Sequence, residues 1–232
     1  MSKKAVLAVL IAVGIPLVSY FIVKYASEGT VDMPRRYFFD SVTQKTESGK
    51  RVHDTLWHKI SNFSFTNQLG KTVSADDVKG KILVVDYFFT RCPNPCPTLT
   101  KNMKKMQDAF LKTDSLVQFI SFSVDPERDS VQVLKRYADK YKVRHNNWWF
   151  LTGDKKTIYD LAFNEFKAAT VDGGIVDTSF IHTSKFYLLD KDRVIRGWYD
   201  GTDSAALTKM ARDIGLLFLE KDKKKKRNLF RK

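Results

Sequence analysis

Cysteine is scarce in this chain, with two among 232 residues, both inside the stretch Cys92-Pro93-Asn94-Pro95-Cys96-Pro97. A pair four positions apart closes only a small loop and constrains the unfolded chain little, which argues against a disulfide framework. None is needed, because 43% hydrophobic content can fill the core of one α/β domain with extensions. No internal repeat is present. Basic motifs interleaved with aromatics are also missing, which argues against a nucleic-acid partner despite a formal net charge of +14. Half of that charge sits in the tail 221–232, where eight basic residues stand against Asp222 alone, a net +7.

A long uncharged run occurs at the N-terminus, from Ala5 to Val23. Its nineteen residues come close to the roughly 20 that cross a bilayer. Gly14 and Pro16 are tolerated in a lipid-embedded helix, and Lys3 and Lys4 ahead of the run favour a cytoplasmic N-terminus with the rest of the chain exported. Small-x-small cleavage sites are lacking after the run, since Ser19-Tyr20-Phe21 and Lys24-Tyr25-Ala26 carry bulky residues. Residues 1–24 are therefore expected to form a retained anchor at the cytoplasmic membrane, and the absence of cysteine near residue 20 excludes lipoprotein attachment. The polar stretch 25–59 reads as a stalk, with His53 and His58 as solvent-exposed spacer residues.

From residue 60 the pattern becomes globular. Phe63 and Phe65 alternate with polar residues, Gly70 marks a turn and Val73 returns, which predicts a hairpin. Ile82 to Phe89 is a continuous apolar run broken by Asp86, the signature of a buried central strand. Leu99, Met103, Met106 and Phe110 then fall on one helical stripe, and the two methionines read as core rather than copper ligands. Strands are expected at Val117–Val124 and at Trp148–Leu151, with a helix between them carrying Val131, Leu134, Ala138 and Tyr141. Asp154 is placed to cap a helix running to Phe166. An antiparallel pair, 185–189 and 194–199, precedes a closing helix through Phe218. Order and composition predict an α/β fold, a mixed sheet covered by helices over residues 60–219, followed by the basic tail 220–232.

The cysteines thus lie where a strand hands over to a helix start, where backbone N–H groups and the helix dipole favour thiolate. Thiolates attack disulfides and bind soft metals, and both uses are open at this point. Pro93, Pro95 and Pro97 stiffen the turn, and Pro97 suits a first helical turn.

Val85-Asp86-Tyr87-Phe88 ahead of Cys92 resembles the thioredoxin strand with its buried aspartate. Three details narrow the match: the spacing Cys-x-x-x-Cys-Pro, the strand end Ser123-Val124-Asp125-Pro126-Glu127-Arg128-Asp129, and a histidine ahead of the late strand in His182-Thr183-Ser184-Lys185-Phe186-Tyr187. Together they resemble the Sco/SenC family, membrane-anchored copper-binding proteins used in assembling the dinuclear copper centre of cytochrome c oxidase. Asn94 and Ile181 stand where family members often carry acidic residues, a difference that bears on site charge and not on the ligands.

The resemblance implies a thioredoxin-like fold and a copper metallochaperone, with thiol–disulfide oxidoreductase activity of the same cysteines left open beside it. Its copper, Cu(I) or Cu(II), would be held by Cys92, Cys96 and His182, with Asp125 as a weaker fourth donor. Asp86 would be a proton acceptor for a buried thiol or a hydrogen-bonded core aspartate. The implied partners are the copper-bearing oxidase subunit, other copper chaperones and thiol reductases. The contrasting readings are an extracytoplasmic thiol–disulfide reductase, or a redox sensor, using the same two cysteines. His145 reads as a surface residue, and the basic tail as a contact for anionic lipid, a contact for an acidic oxidase surface, or a solubilising end.

Overall fold

The computed structural model describes residues 3–27, 32–47, 50–168 and 183–220. The chain divides into two units, Met1–Met33 and Pro34–Lys232. In the first, helix α1 spans Lys3–Ser27 and is long and apolar enough to cross a membrane over Lys3–Tyr25. Leu10, Ile15 and Val18 on it are exposed, as on a helix that is apolar all round and has no protein face to bury. Pro16 removes one backbone donor inside α1, and the Ser19 hydroxyl donates to the Pro16 carbonyl at 2.9 Å.

The second unit opens with an antiparallel hairpin, β1 (Phe39–Glu47) and β2 (Lys50–Trp57), with Val42 opposite Thr55 and Gln44 opposite His53. The stretch expected as a stalk therefore carries regular structure in its second half. Its strands satisfy their backbone groups on each other while leaving Phe39, Val42 and Leu56 exposed, so no apolar alternation announces them. His53 is exposed on β2, whereas His58 is no spacer residue. The His58 Nδ1–H donates to Asp40 Oδ1 at 2.8 Å, and its Nε2 lies 3.5 Å from Glu165 Oε2.

A seven-stranded sheet follows, built from β3 (Ser64–Asn67), β4 (Thr72–Ser74), β5 (Ile82–Phe88), β6 (Val117–Ser123), β7 (Trp148–Thr152), β8 (Lys185–Leu189) and β9 (Ile195–Asp200). Their order is β4-β3-β7-β6-β5-β8-β9, with β5, β6 and β7 parallel and the remaining pairs antiparallel. Parallel neighbours require crossovers, and helices α2 (Cys96–Ala109) and α3 (Val131–Lys140) supply them. Asp154 caps α4 (Lys155–Asp160) by accepting the Thr157 amide at 2.8 Å. The expected helix to Phe166 stops early as α4 and passes into a π-helical turn over Leu161–Glu165, which leaves Glu165 accepting the Ser61 amide at 2.8 Å. Helix α5 (Ser204–Leu219) closes the unit.

Alternation along β5 feeds two cores. Leu83, Val85 and Tyr87 pack with Phe122, Ile158 and Phe166 on one face, while Ile82, Val84 and Phe88 pack with Leu99, Met103, Met106 and Ile214 on the other. Both methionines are buried in this second core, as the helical stripe requires. Trp148 is fully buried too, whereas Trp149 lies half-buried against the first core. In α3 the buried face also takes Tyr137, whose hydroxyl hydrogen-bonds Thr100 of α2 at 2.8 Å. Gly201 lets α2 approach the end of β9: a Cβ there would lie 2.6 Å from Leu99 Cδ2, and the Gly201 carbonyl accepts from Asn102 Nδ2 at 2.8 Å.

One buried cation ties residues 34–36 to Asp190 and Glu220. Arg196 on β9 donates to Asp190 Oδ2 at 3.0 Å and, through Nη2, to the Pro34 carbonyl at 2.6 Å; it also pairs with Glu220 beyond α5. Arg36 adds a contact to Glu220 at 3.5 Å. Because Arg196 and Asp190 are both buried, removing the cation takes the nearest charge partner from a carboxylate that keeps, among the described residues, only the Asp192 and Val194 amides and Arg36 at 3.9 Å, and breaking such a buried pair typically costs about 3–5 kcal/mol. Arg196→Ala is expected to lower urea stability of the detergent-solubilised chain by that amount; a loss below about 1 kcal/mol would show that water already screens the network.

Candidate metal centre

The site grows out of the C-terminal end of β5. Beyond Phe88 the chain turns through Phe89, Thr90 and Arg91, with the Cys92 amide donating to the Phe89 carbonyl at 3.3 Å. Pro95, preceded by a cis peptide bond, stands at the N-cap, and Cys96 begins α2 with Pro97 in its first turn. The Thr98 and Leu99 amides both donate to the Pro95 carbonyl, so the helix is hydrogen-bonded from its first turn. The Cys96 amide points at Cys92 Sγ, 3.4 Å away. The two thiols are free, and they are 5% and 4% exposed.

Burial changes the expected electrostatics. At a helix start the dipole favours thiolate, yet desolvation dominates at Cys96 and pushes its thiol well above the ordinary range, with the Cys92 side chain adding to the rise and the Phe89 backbone opposing it. Cys96 is thus held protonated near neutral pH. A nucleophile needs thiolate in solution, whereas a soft metal ion displaces the proton as it binds. The pair fits a soft cation, since two buried sulfurs adjoin at one turn.

Asp86 lies on the same face of β5 as Val84 and Phe88, the face that packs against the cysteines, and is 2% exposed. Its neighbour on β6 is Ser121. The Trp148 indole N–H donates to Ser121 Oγ at 2.9 Å, which leaves the serine proton free for Asp86. Among the described residues Asp86 Oδ1 has no hydrogen-bond partner. Burial raises the Asp86 carboxyl from 3.8 to about 7, partly offset by the Ser121 hydrogen bond.

Asp125 is buried, but its Oδ2 accepts from Arg128 Nη1 at 3.3 Å. His145 uses both ring nitrogens: Gln68 Nε2 donates to its Nδ1 at 3.0 Å, which leaves Nε2–H for Asp139 Oδ1 at 3.2 Å. His182 lies outside the described residues, and among the described residues no three or more His, Cys, Asp or Glu side chains are gathered closely enough to hold a metal. Residues to which the sequence assigned no role also shape the site. Thr90 and Asp129 meet beside the cysteine turn, and the only signal for them was the motif that ends in Asp129.

The Asp86 carboxyl makes stability depend on pH in a defined direction. Unfolded, it ionises near 3.8; folded, at about 7. The folded state therefore keeps a proton that the unfolded state loses, so this contribution falls as pH rises from about 4 to 7 and is flat above, by on the order of 4 kcal/mol. Asp86→Asn should flatten that decline, and urea denaturation at pH 5 and pH 8 measures it. An identical pH 5-to-8 difference in wild type and variant would place the titration on another group.

Comparison with known proteins agrees with this architecture. The SCO1/SenC family model matches residues 54–215. The SCO1 protein homolog of Bacillus subtilis is 35% identical over 167 residues, which cover 72% of this chain and 86% of that protein. BsSco, a member of the Sco family of cytochrome c oxidase assembly proteins in which a disulfide switch was identified, superimposes with a TM-score of 0.61 at 34% identity, covering 72% of this chain and 96% of that one. The copper-bound ScoI of Bradyrhizobium japonicum gives a TM-score of 0.54 at 27% identity over 67% of this chain and 96% of its own. The match runs from within β2 into α5, takes in both cysteines and rests on a thioredoxin-like fold: the chain belongs to the SCO1/SenC family.

Proposed function

We propose that the protein is a membrane-anchored copper metallochaperone that binds copper through Cys92, Cys96 and His182 and delivers it to the dinuclear copper centre of cytochrome c oxidase. The observation that carries this reading is the buried pair of free thiols at the start of α2, with Cys96 protonated by burial. Burial keeps Cys96 from becoming a ready thiolate nucleophile, while the two adjoining sulfurs suit Cu(I), which favours metal carriage over a general thiol–disulfide reductase. Two named relatives support the cargo and the pathway, since one holds copper and another belongs to the oxidase assembly proteins.

Topology supports the third ligand. β8 runs antiparallel to β5, with Val85 opposite Tyr187 and Leu83 opposite Leu189, so β8 enters the sheet at the edge where β5 leaves it for the cysteine turn. His182 precedes Lys185, the first residue of β8, by three positions. The other three of the four histidines are engaged elsewhere or exposed on the hairpin. Asp125 stays a weaker donor for Cu(II), because its carboxylate is committed to Arg128. Helix α1, with Lys3 and Lys4 before the apolar run, supports single-pass anchoring at the cytoplasmic membrane with the second unit outside. A related protein of Bacillus anthracis is a lipoprotein; both cysteines of this chain sit in the metal turn, so α1 carries the anchoring in this reading.

His182→Ala should weaken Cu(I) binding by more than about 100-fold in a chelator competition, beyond the 10–100-fold typical of losing a supporting contact to a ligand. Unchanged affinity would sink this ligand set. Copper must also displace protons from the thiols, so apparent Cu(I) affinity should rise about tenfold per pH unit for each proton released between pH 6 and 8. Affinity independent of pH in that window would mean that the sulfurs are not the ligands.

A further inference from the structure

The turn that leads into Cys92 is tied down by a group outside the proposed ligand set. Thr90 follows the last residue of β5 by two positions and precedes Cys92 by two. Its amide donates to Asp129 Oδ2 at 3.1 Å and its hydroxyl to Asp129 Oδ1. Ser123 ends β6 opposite Phe88, and its hydroxyl donates to the same Oδ2 at 2.6 Å. The Ser123 oxygen in turn accepts the Asp125 amide at 3.2 Å, so the serine links the loop backbone to the Asp129 carboxyl.

Asp129 is 1% exposed, and its own amide donates to the Asp125 carbonyl at 2.9 Å, so the tight loop after β6 fixes its backbone as well. The nearby cation is occupied elsewhere, since Arg128 pairs with Asp125. A buried carboxyl that takes two of three hydrogen bonds from one threonine fixes where that residue sits. We infer that Asp129 is the positioning residue of the cysteine pair: it pins Thr90 to the end of β6 and thereby sets Cys92 Sγ against the Cys96 amide, touching neither sulfur. The use of this device rests on the copper reading, but its test does not.

The test follows iodoacetamide trapping of Cys92 in the reduced, metal-free full chain in detergent, read by peptide mass spectrometry under native conditions. Asp129→Ala and Thr90→Val are compared with Thr90→Ser, with Glu127→Gln in the same loop, and with Ile158→Val, which lowers stability from the opposite face of the sheet. Loss of the tie should raise Cys92 trapping roughly tenfold in Asp129→Ala and severalfold in Thr90→Val, while Thr90→Ser, Glu127→Gln and Ile158→Val stay near wild type. Should Asp129→Ala fail to fold, the contrast between Thr90→Val and Thr90→Ser decides the matter alone. Equal trapping in Thr90→Val and Thr90→Ser, or an increase in Asp129→Ala that Ile158→Val reproduces, assigns Asp129 to stability only and overturns the inference. A wild-type chain that takes up no Cu(I) would end the copper reading and leave this comparison intact.

Discussion

Desolvation of the sulfurs where β5 gives way to α2 is the constraint on which the functional geometry depends. A thiol in water at a helix start would ionise more readily; packed among Phe88, Leu99 and Phe186, the pair is removed from water and Cys96 keeps its proton. The charge separation that drives thiol exchange is thereby suppressed, while soft coordination is not. Asp86 obeys the same physics from below: its carboxyl is buried in the same core, with one oxygen unpartnered among the described residues, and is likewise pushed toward its neutral form. Burial thus pushes both groups toward their neutral forms, which lessens the isolated charge held in this core.

The scaffold then fixes the turn from several sides. Helix α2 is joined to α3 through Thr100 and Tyr137, to the end of β9 through Asn102 and Gly201, and to the stretch before β7 through Gln107, which bonds the Arg144 carbonyl and Asn147 Oδ1. None of these contacts touches a sulfur. Each removes freedom from the helix that carries Cys96, which is how a supporting shell holds two sulfurs at a set separation without metal. The Arg196 cluster does comparable work away from the turn, holding residues 34–36 beside Glu220.

Much of the sheet was legible because its signals are local. The unbroken apolar run of β5, the stripe of α2, the Asp154 cap and the pair β8–β9 all appear where pattern and turn chemistry put them. The hairpin β1–β2 was not legible, because it is stabilised by its own backbone ladder and buries too little apolar surface to leave an alternation. His58 was misread for a related reason: its partners Asp40 and Glu165 lie 18 positions before it and more than 100 after it. The same distance in sequence hid Thr90–Asp129 and Gln107–Asn147.

By itself the sequence determined which residues can do chemistry and in what company: two cysteines four apart at a strand-to-helix junction, a buried aspartate ahead of them, and an apolar run suited to a membrane. Those facts follow from composition and short-range spacing. Only the tertiary structure decided the state of the pair, because helix dipole and burial pull a thiol in opposite directions and their balance depends on atoms brought in from α5, β8 and β6. It alone revealed Asp129 as the tie on the cysteine turn, since that bond joins two loops that meet only when β5 and β6 pair.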